Sequence, residues 1–110
     1  MTGTIDEAVD RIVNAVNPEA VYLFGSRARG TAEDGSDWDL FVVMNDAMRP
    51  GEVTPSKLRR LLTGLGMAFD VVPCRKSVFE QKKSDINSLS HDVVAEGVLL
   101  YERQRSDRLD

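Results

Sequence analysis

Two short stretches of this chain hold residues whose types and spacing suit chemistry. Gly25-Ser26 ends one apolar run and Asp37-Trp38-Asp39 opens another, with the ten residues Arg27 to Ser36 between them. Glycine carries no side chain, so backbone amides at Gly25 can approach a ligand closely. Ser26 adds a hydroxyl donor, and the start of a following helix aims free N–H groups at an anion. On a strand alternate residues share a face, so Asp37 and Asp39 project together while Trp38 and Leu40 point the other way. A phosphate cradle beside paired carboxylates is the layout that holds a nucleoside triphosphate through divalent metal. A third carboxylate, Asp70, sits in the apolar stretch Ala68-Phe69-Asp70-Val71-Val72. An unpaired charge buried in such a strand is costly, and a metal shared with Asp37 and Asp39 would supply its partner.

Each residue also has an ordinary reading. A loop aspartate often caps a turn, and Gly25 could serve a tight turn alone. The conjunction of Gly25-Ser26 with all three aspartates is what favours the phosphate and metal roles. Arg27 and Arg29 read as surface charges or, beside a triphosphate, as phosphate contacts; Arg29 is the favoured one. Trp38, Phe24 and Leu40 read as core. His91, the single histidine, reads as an exposed helix residue. Cys74 has no second cysteine to pair with, reads as structural, and fits a reducing cytoplasm. Lys82-Lys83 and Arg103-Gln104-Arg105 read as solvated faces.

The elements that must position these groups follow from periodicity and punctuation. Thr4-Ile5-Asp6-Glu7 fits a capping box, and Ile5, Val9, Ile12, Val13 and Val16 form one helical face that Asn17-Pro18 stops. Ala20 to Phe24 is a first strand and Arg27 to Thr31 a short helix. Asp37 to Met44 is a second, central strand, apolar on both faces beyond Asp39. Thr54 caps a helix from Pro55 to Leu65 whose stripe is Leu58, Leu61, Leu62 and Leu65. Met67 to Pro73 is a third strand. Lys76 to Lys83 suits a short helix, and a further helix starts at Ser84 or Asp85 with Ile86, Leu89 and Val93 inward. Gly97 ends it before a fourth strand, Val98 to Tyr101, of open polarity.

The bulk properties narrow the field. A chain of 110 residues makes one domain, and 42% hydrophobic with 29% charged content is ordinary for a soluble globular protein. A net charge of −4 and a pI near 5.0 disfavour sequence-independent binding along nucleic acid, which needs clustered basic residues. No apolar run approaches membrane-spanning length, and no basic-then-apolar leader opens the chain. The expectation is a cytoplasmic domain over residues 1–102 with a charged, frayed tail over 103–110, and neither membrane nor direct nucleic-acid binding.

With its Gly-Ser, ten-residue spacer, Asp-x-Asp and later strand aspartate, the chain resembles the nucleotidyltransferase superfamily of DNA polymerase beta. The wording Gly25-Ser26-Arg27-Ala28-Arg29-Gly30 is similar to that of the minimal nucleotidyltransferase (MNT) domains, and the resemblance covers residues 5–102. It implies an α/β fold, a small mixed sheet with helices packed mainly on one face. It implies a Mg²⁺-dependent reaction with ATP, with two ions held by Asp37, Asp39 and Asp70, and the nucleotide by Gly25, Ser26 and Arg29. It implies a HEPN-family ribonuclease toxin as partner, neutralised by transfer of AMP to a tyrosine. The alternatives are an antitoxin that inhibits by contact alone and an adenylyltransferase acting on an aminoglycoside. No segment is left over after the fourth strand to present an acceptor, which lowers the last.

Overall fold

The computed structural model describes residues 4–49 and 51–103. Of the expected frayed tail, 103–110, only Arg103 is described, and its amide donates to the Glu19 carbonyl at 2.9 Å; the remainder lies outside the described residues. The elements run α1 (Ile5–Val16), β1 (Ala20–Phe24), α2 (Ser26–Arg29), β2 (Trp38–Met44), α3 (Pro55–Leu61), β3 (Phe69–Arg75), α4 (Lys76–Lys82), α5 (Leu89–Glu96) and β4 (Val98–Glu102). The strands form one mixed sheet in the order β3-β2-β1-β4. β1 is antiparallel to both β2 and β4, and β2 is parallel to β3. The polarity of β4, open in the sequence, is thereby fixed.

Alternation along the strands splits the core in two. Val21 and Leu23 of β1, Leu40, Val42 and Met44 of β2, and Val71 of β3 face α1 and α3, where Ala8, Val9, Ile12, Leu58, Leu62 and Leu65 complete the larger cluster. The opposite face carries Ala20, Phe41 and Val43 under Phe79 of α4 and Val93 of α5, with Tyr22, Phe24, Val72 and Cys74 packed around them. The one-sided weighting expected of the helices thus describes the larger core, and α4 and α5 cover part of the second face.

Local chemistry explains most boundaries. The Thr4 hydroxyl accepts from the Glu7 amide at 3.1 Å, and Asn17 closes α1 in the left-handed conformation at φ 48°. The Glu7 carboxylate does not return the bond; it pairs with Arg11 at 3.2 Å. Thr54 caps α3 through the Lys57 amide at 3.2 Å, with Pro55 in the first turn, where its missing N–H costs nothing. α3 ends at Leu61 rather than Leu65, yet Leu62 and Leu65 stay buried because the turn that follows folds them back under the sheet. β3 starts two residues later than expected and runs to Arg75. α5 begins at Leu89, capped by Ser88, whose hydroxyl accepts from the His91 amide at 3.1 Å. Ile86, expected on its inner face, lies ahead of the helix and is 73% exposed.

Candidate active site

The predicted site residues meet at one end of the sheet, on the α4–α5 face. β1 arrives there at Phe24, while β2 and β3 depart from it, so the last residue of one strand lies beside the first residues of the other two. In register, Phe24 stands opposite Asp39, and Asp39 opposite Asp70. Asp39 shares its face with Phe41 and Val43, and Asp70 with Val72 and Cys74. Asp37 precedes β2 by one residue and is exposed. Asp70 is exposed as well. That corrects one step of the sequence argument: the strand is apolar, but its first turn lies at the open sheet end. Asp70 therefore needs no buried counter-charge, and it is reachable from solvent.

Gly25 joins β1 to α2 at φ 76°, a conformation that favours glycine. Its role is more specific than freedom of rotation. A Cβ at this position would collide with the Asp39 carboxylate. The turn and the central aspartate are in contact, and only a hydrogen on Gly25 leaves room for both. Ser26 begins α2, and its carbonyl accepts from the Thr31 amide at 3.0 Å.

The electrostatics of this end are unbalanced. Among the described residues, Asp37, Asp39 and Asp70 form no salt bridge within 4.0 Å. Partial burial, then the negative charges of Asp70 and Asp37, raise the Asp39 carboxyl above the usual aspartate range; Arg29 partly offsets them. Asp39 therefore feels both of the other carboxylates. They present hard oxygen donors of the kind that hold Mg²⁺, and a divalent cation is the group that would relieve their repulsion. They do not close into a ready cage: no three His, Cys, Asp or Glu side chains among the described residues are gathered tightly enough for that.

The two arginines of α2 separate. Arg29 is half exposed, reaches Glu96 of α5 at 3.7 Å and acts on Asp39. Arg27 turns to the loop before β2, donating from Nη2 to the Ser36 carbonyl at 2.9 Å and lying 4.3 Å over the Trp38 ring. Nothing in the sequence signals this pairing, because it spans a loop and follows no helical or strand period. Trp38 packs against the larger core, as expected.

Two further residues complete the comparison with the sequence. His91 is not the exposed residue expected: its side chain is 35% exposed and its Nδ1 is enclosed without a hydrogen-bond partner among the described residues. Cys74 lines the second core, where burial pushes its thiol up. A cavity of about 230 Å³ opens at the other end of this face between Tyr22, Lys76, Phe79, Glu80 and Glu102, and no predicted site residue lines it. Among the described residues, no helix is long and apolar enough to cross a membrane.

Comparison with known proteins identifies the family and the fold. The family described as Polymerase beta, Nucleotidyltransferase matches residues 7–106. No curated protein sequence is significantly similar to the chain. Among solved structures, a protein of Sulfolobus solfataricus assigned as a nucleotidyltransferase is 25% identical, with a TM-score of 0.58 over 90% of this chain and 78% of that one. A toxin–antitoxin structure with AMP-PNP is 22% identical, with a TM-score of 0.62 over 96% and 80% of the two chains. A mutant of the toxin–antitoxin MntA-HpeT, carrying two Asp-to-Glu changes two positions apart, is 22% identical with a TM-score of 0.59 over 94% and 78%. With its family matched across nearly the whole length, and its Gly-Ser turn set against an Asp-x-Asp strand, the chain belongs to the polymerase beta nucleotidyltransferase family.

Proposed function

We propose that this chain is a Mg²⁺-dependent protein adenylyltransferase that acts as an antitoxin, transferring AMP from ATP to a tyrosine of a HEPN-family ribonuclease toxin. The observation that carries the reading is Asp39, set against the Gly25 turn and raised by burial and by the charges of Asp70 and Asp37, with no salt bridge to any of the three among the described residues. Such a cluster works against the fold and is best explained by an external cation and phosphate. The toxin–antitoxin neighbours, one of them solved with AMP-PNP, support the choice of nucleotide and partner.

In this reading Gly25 and Ser26 seat the triphosphate, and Arg29 gives up its exposed pairing with Glu96 to contact a phosphate oxygen. Asp37, Asp39 and Asp70 would hold the metal ions, two in number, which supply charge neutralisation at the attacking and leaving oxygens. The tyrosine oxygen bonds to the α-phosphorus of ATP, the bond from that phosphorus to the bridging oxygen breaks, and pyrophosphate leaves with the electron pair. The tyrosine proton passes to Asp70 or to water. The exposure of Asp70 at the rim suits a residue that must meet an acceptor carried by another protein.

Intact-mass spectrometry of the toxin partner, after incubation with this chain, ATP and Mg²⁺, tests the reading. An added mass of one or more adenylates, absent with Asp37→Asn, is the expected result. A stable complex with no added mass would assign neutralisation to contact alone. Modification of an aminoglycoside without any protein partner would move the acceptor to a small molecule.

A further inference from the structure

We propose that Arg27 is a positioning residue of the transfer reaction, setting Asp37 in place against the Gly25-Ser26 turn without touching the nucleotide; the proposal rests on the nucleotidyltransferase reading above. Arg27 directly follows Ser26, and its Nη2 donates at 2.9 Å to the carbonyl of Ser36, which directly precedes Asp37. Its guanidinium lies 4.3 Å over the ring of Trp38, the residue between Asp37 and Asp39. One side chain thus spans the ten-residue spacer at both ends.

Three observations separate this role from that of a phosphate contact. The Nε of Arg27 is enclosed and has no hydrogen-bond partner among the described residues, so the head is inserted in the structure rather than extended from it. Arg27 takes part in no salt bridge with a described carboxylate, so its partners are a carbonyl and a ring. The loop it grips is otherwise held mainly by bonds within itself: Ser36 donates its amide to the Glu33 carbonyl at 2.9 Å, and the Ser36 hydroxyl accepts from the Glu33 amide at 3.0 Å. Those two bonds close the turn on itself and leave its position relative to α2 to other contacts. At its far end the Trp38 amide donates to the Ala68 carbonyl at 2.8 Å, which pins β2 to the segment before β3. Arg27 supplies the corresponding anchor to α2. A guanidinium suits the task because its planar fork stacks and donates at once, which an ammonium cannot do.

The consequence concerns Asp37 most. Asp39 is inside the strand ladder and against Gly25, so the sheet fixes it. Asp37 is one residue outside the ladder, and its carboxylate is only as well placed as the Ser36–Trp38 backbone. A misplacement of about 1 Å in a reacting site costs about 100-fold in rate.

The test uses the intact chain and two variants, Arg27→Met and Arg27→Lys, the second keeping charge and stem while losing the planar fork. Hydrogen exchange of the amides in residues 31–37 is the first readout and needs no activity. The second is emission from Trp38, the single tryptophan, during titration with Mg²⁺ in the presence of AMP-PNP. Both variants should speed exchange in 31–37 about tenfold and raise the half-saturating Mg²⁺ by a similar factor, the worth of one hydrogen bond and one cation–π contact. Arg29→Lys should leave exchange unchanged. Unaltered exchange in Arg27→Met overturns the inference, as does faster exchange with an unmoved Mg²⁺ titration. A variant that weakens AMP-PNP binding alone makes Arg27 a phosphate contact and overturns it too. A wild type whose Trp38 emission ignores both Mg²⁺ and AMP-PNP overturns instead the functional reading beneath it.

Discussion

The two ends of the second sheet face handle their charges in opposite ways. At the end where β1 begins, Glu19 accepts from Asn45 at 3.1 Å and pairs with Lys76 at 3.7 Å and Arg103 at 3.4 Å. One carboxylate there meets three donors drawn from three separate segments. At the end where β1 finishes, Asp37, Asp39 and Asp70 form no salt bridge among the described residues, and Asp39 is pushed up by burial and then by the charges of Asp70 and Asp37. Charges of the first kind tie the fold together, weakly, since they are partly solvated. Charges of the second kind oppose it. Side chains that oppose the fold while lying beside a left-handed glycine turn are accounted for by something the fold is built to receive.

The contrast is broken most severely at the carboxylates. Asp39→Asn, and Asp37→Asn likewise, should lower AMP transfer at least about 100-fold, the loss typical of removing one stabilising group from a charged transition state, as measured by pyrophosphate release with the toxin partner present. Transfer at the wild-type rate would detach the trio from the chemistry. Gly25→Val comes next. The side chain must take a positive φ and push against the Asp39 carboxylate, so stability should fall by about 1–3 kcal/mol in urea unfolding. AMP-PNP binding in the presence of Mg²⁺ should also weaken beyond detection. Normal binding would show that the turn is structural only. At the opposite end Glu19→Gln keeps the shape and removes the charge. It should cost less than about 1 kcal/mol and leave transfer unchanged. A large loss of transfer from that substitution would erase the distinction between the two ends.

How much of this was legible in the sequence differs by kind of interaction. Strands and their faces were readable because burial on a sheet alternates with period two: Val21, Leu23, Leu40, Val42 and Val71 fall on one face by parity alone. The parity also puts Asp39 with Asp70, and the register confirms them as neighbours. Helix starts at Thr4 and Thr54 were readable because capping is local. Stops were less so. α3 ends four residues early because Leu62 and Leu65 are buried equally well by a turn, and the start of α5 is set by Ser88, whose single hydroxyl proton is shared between the Lys82 carbonyl at 2.6 Å and the Asp85 carbonyl at 2.9 Å. The exposure of Asp70 was missed because apolar neighbours say nothing about which strand end faces solvent. The Arg27–Trp38–Ser36 grip and the contact of Gly25 with Asp39 depend on how the chain closes in three dimensions, and no spacing encodes either.

The smallest effect sharpens the comparison through pH. Asp39 is raised in the folded state by burial, Asp70 and Asp37, in that order. A carboxyl raised on folding binds its proton more tightly in the native than in the unfolded chain. Its contribution is therefore fully present below the ordinary aspartate pKa and is lost as pH rises through the higher, folded value. Without Mg²⁺, urea unfolding should show this stabilisation fading over that acidic window. Asp39→Asn removes the titration and the repulsion together. The metal-free variant should be more stable than wild type above the window, by less than about 1 kcal/mol because the group is partly solvated, and equal to it below. Adding Mg²⁺ should stabilise the wild type and not the variant, since a ligand that binds only the native state raises its stability. A variant less stable than wild type in the absence of Mg²⁺ would mean that Asp39 serves the fold at this end as Glu19 does at the other, and the two ends would no longer differ in kind.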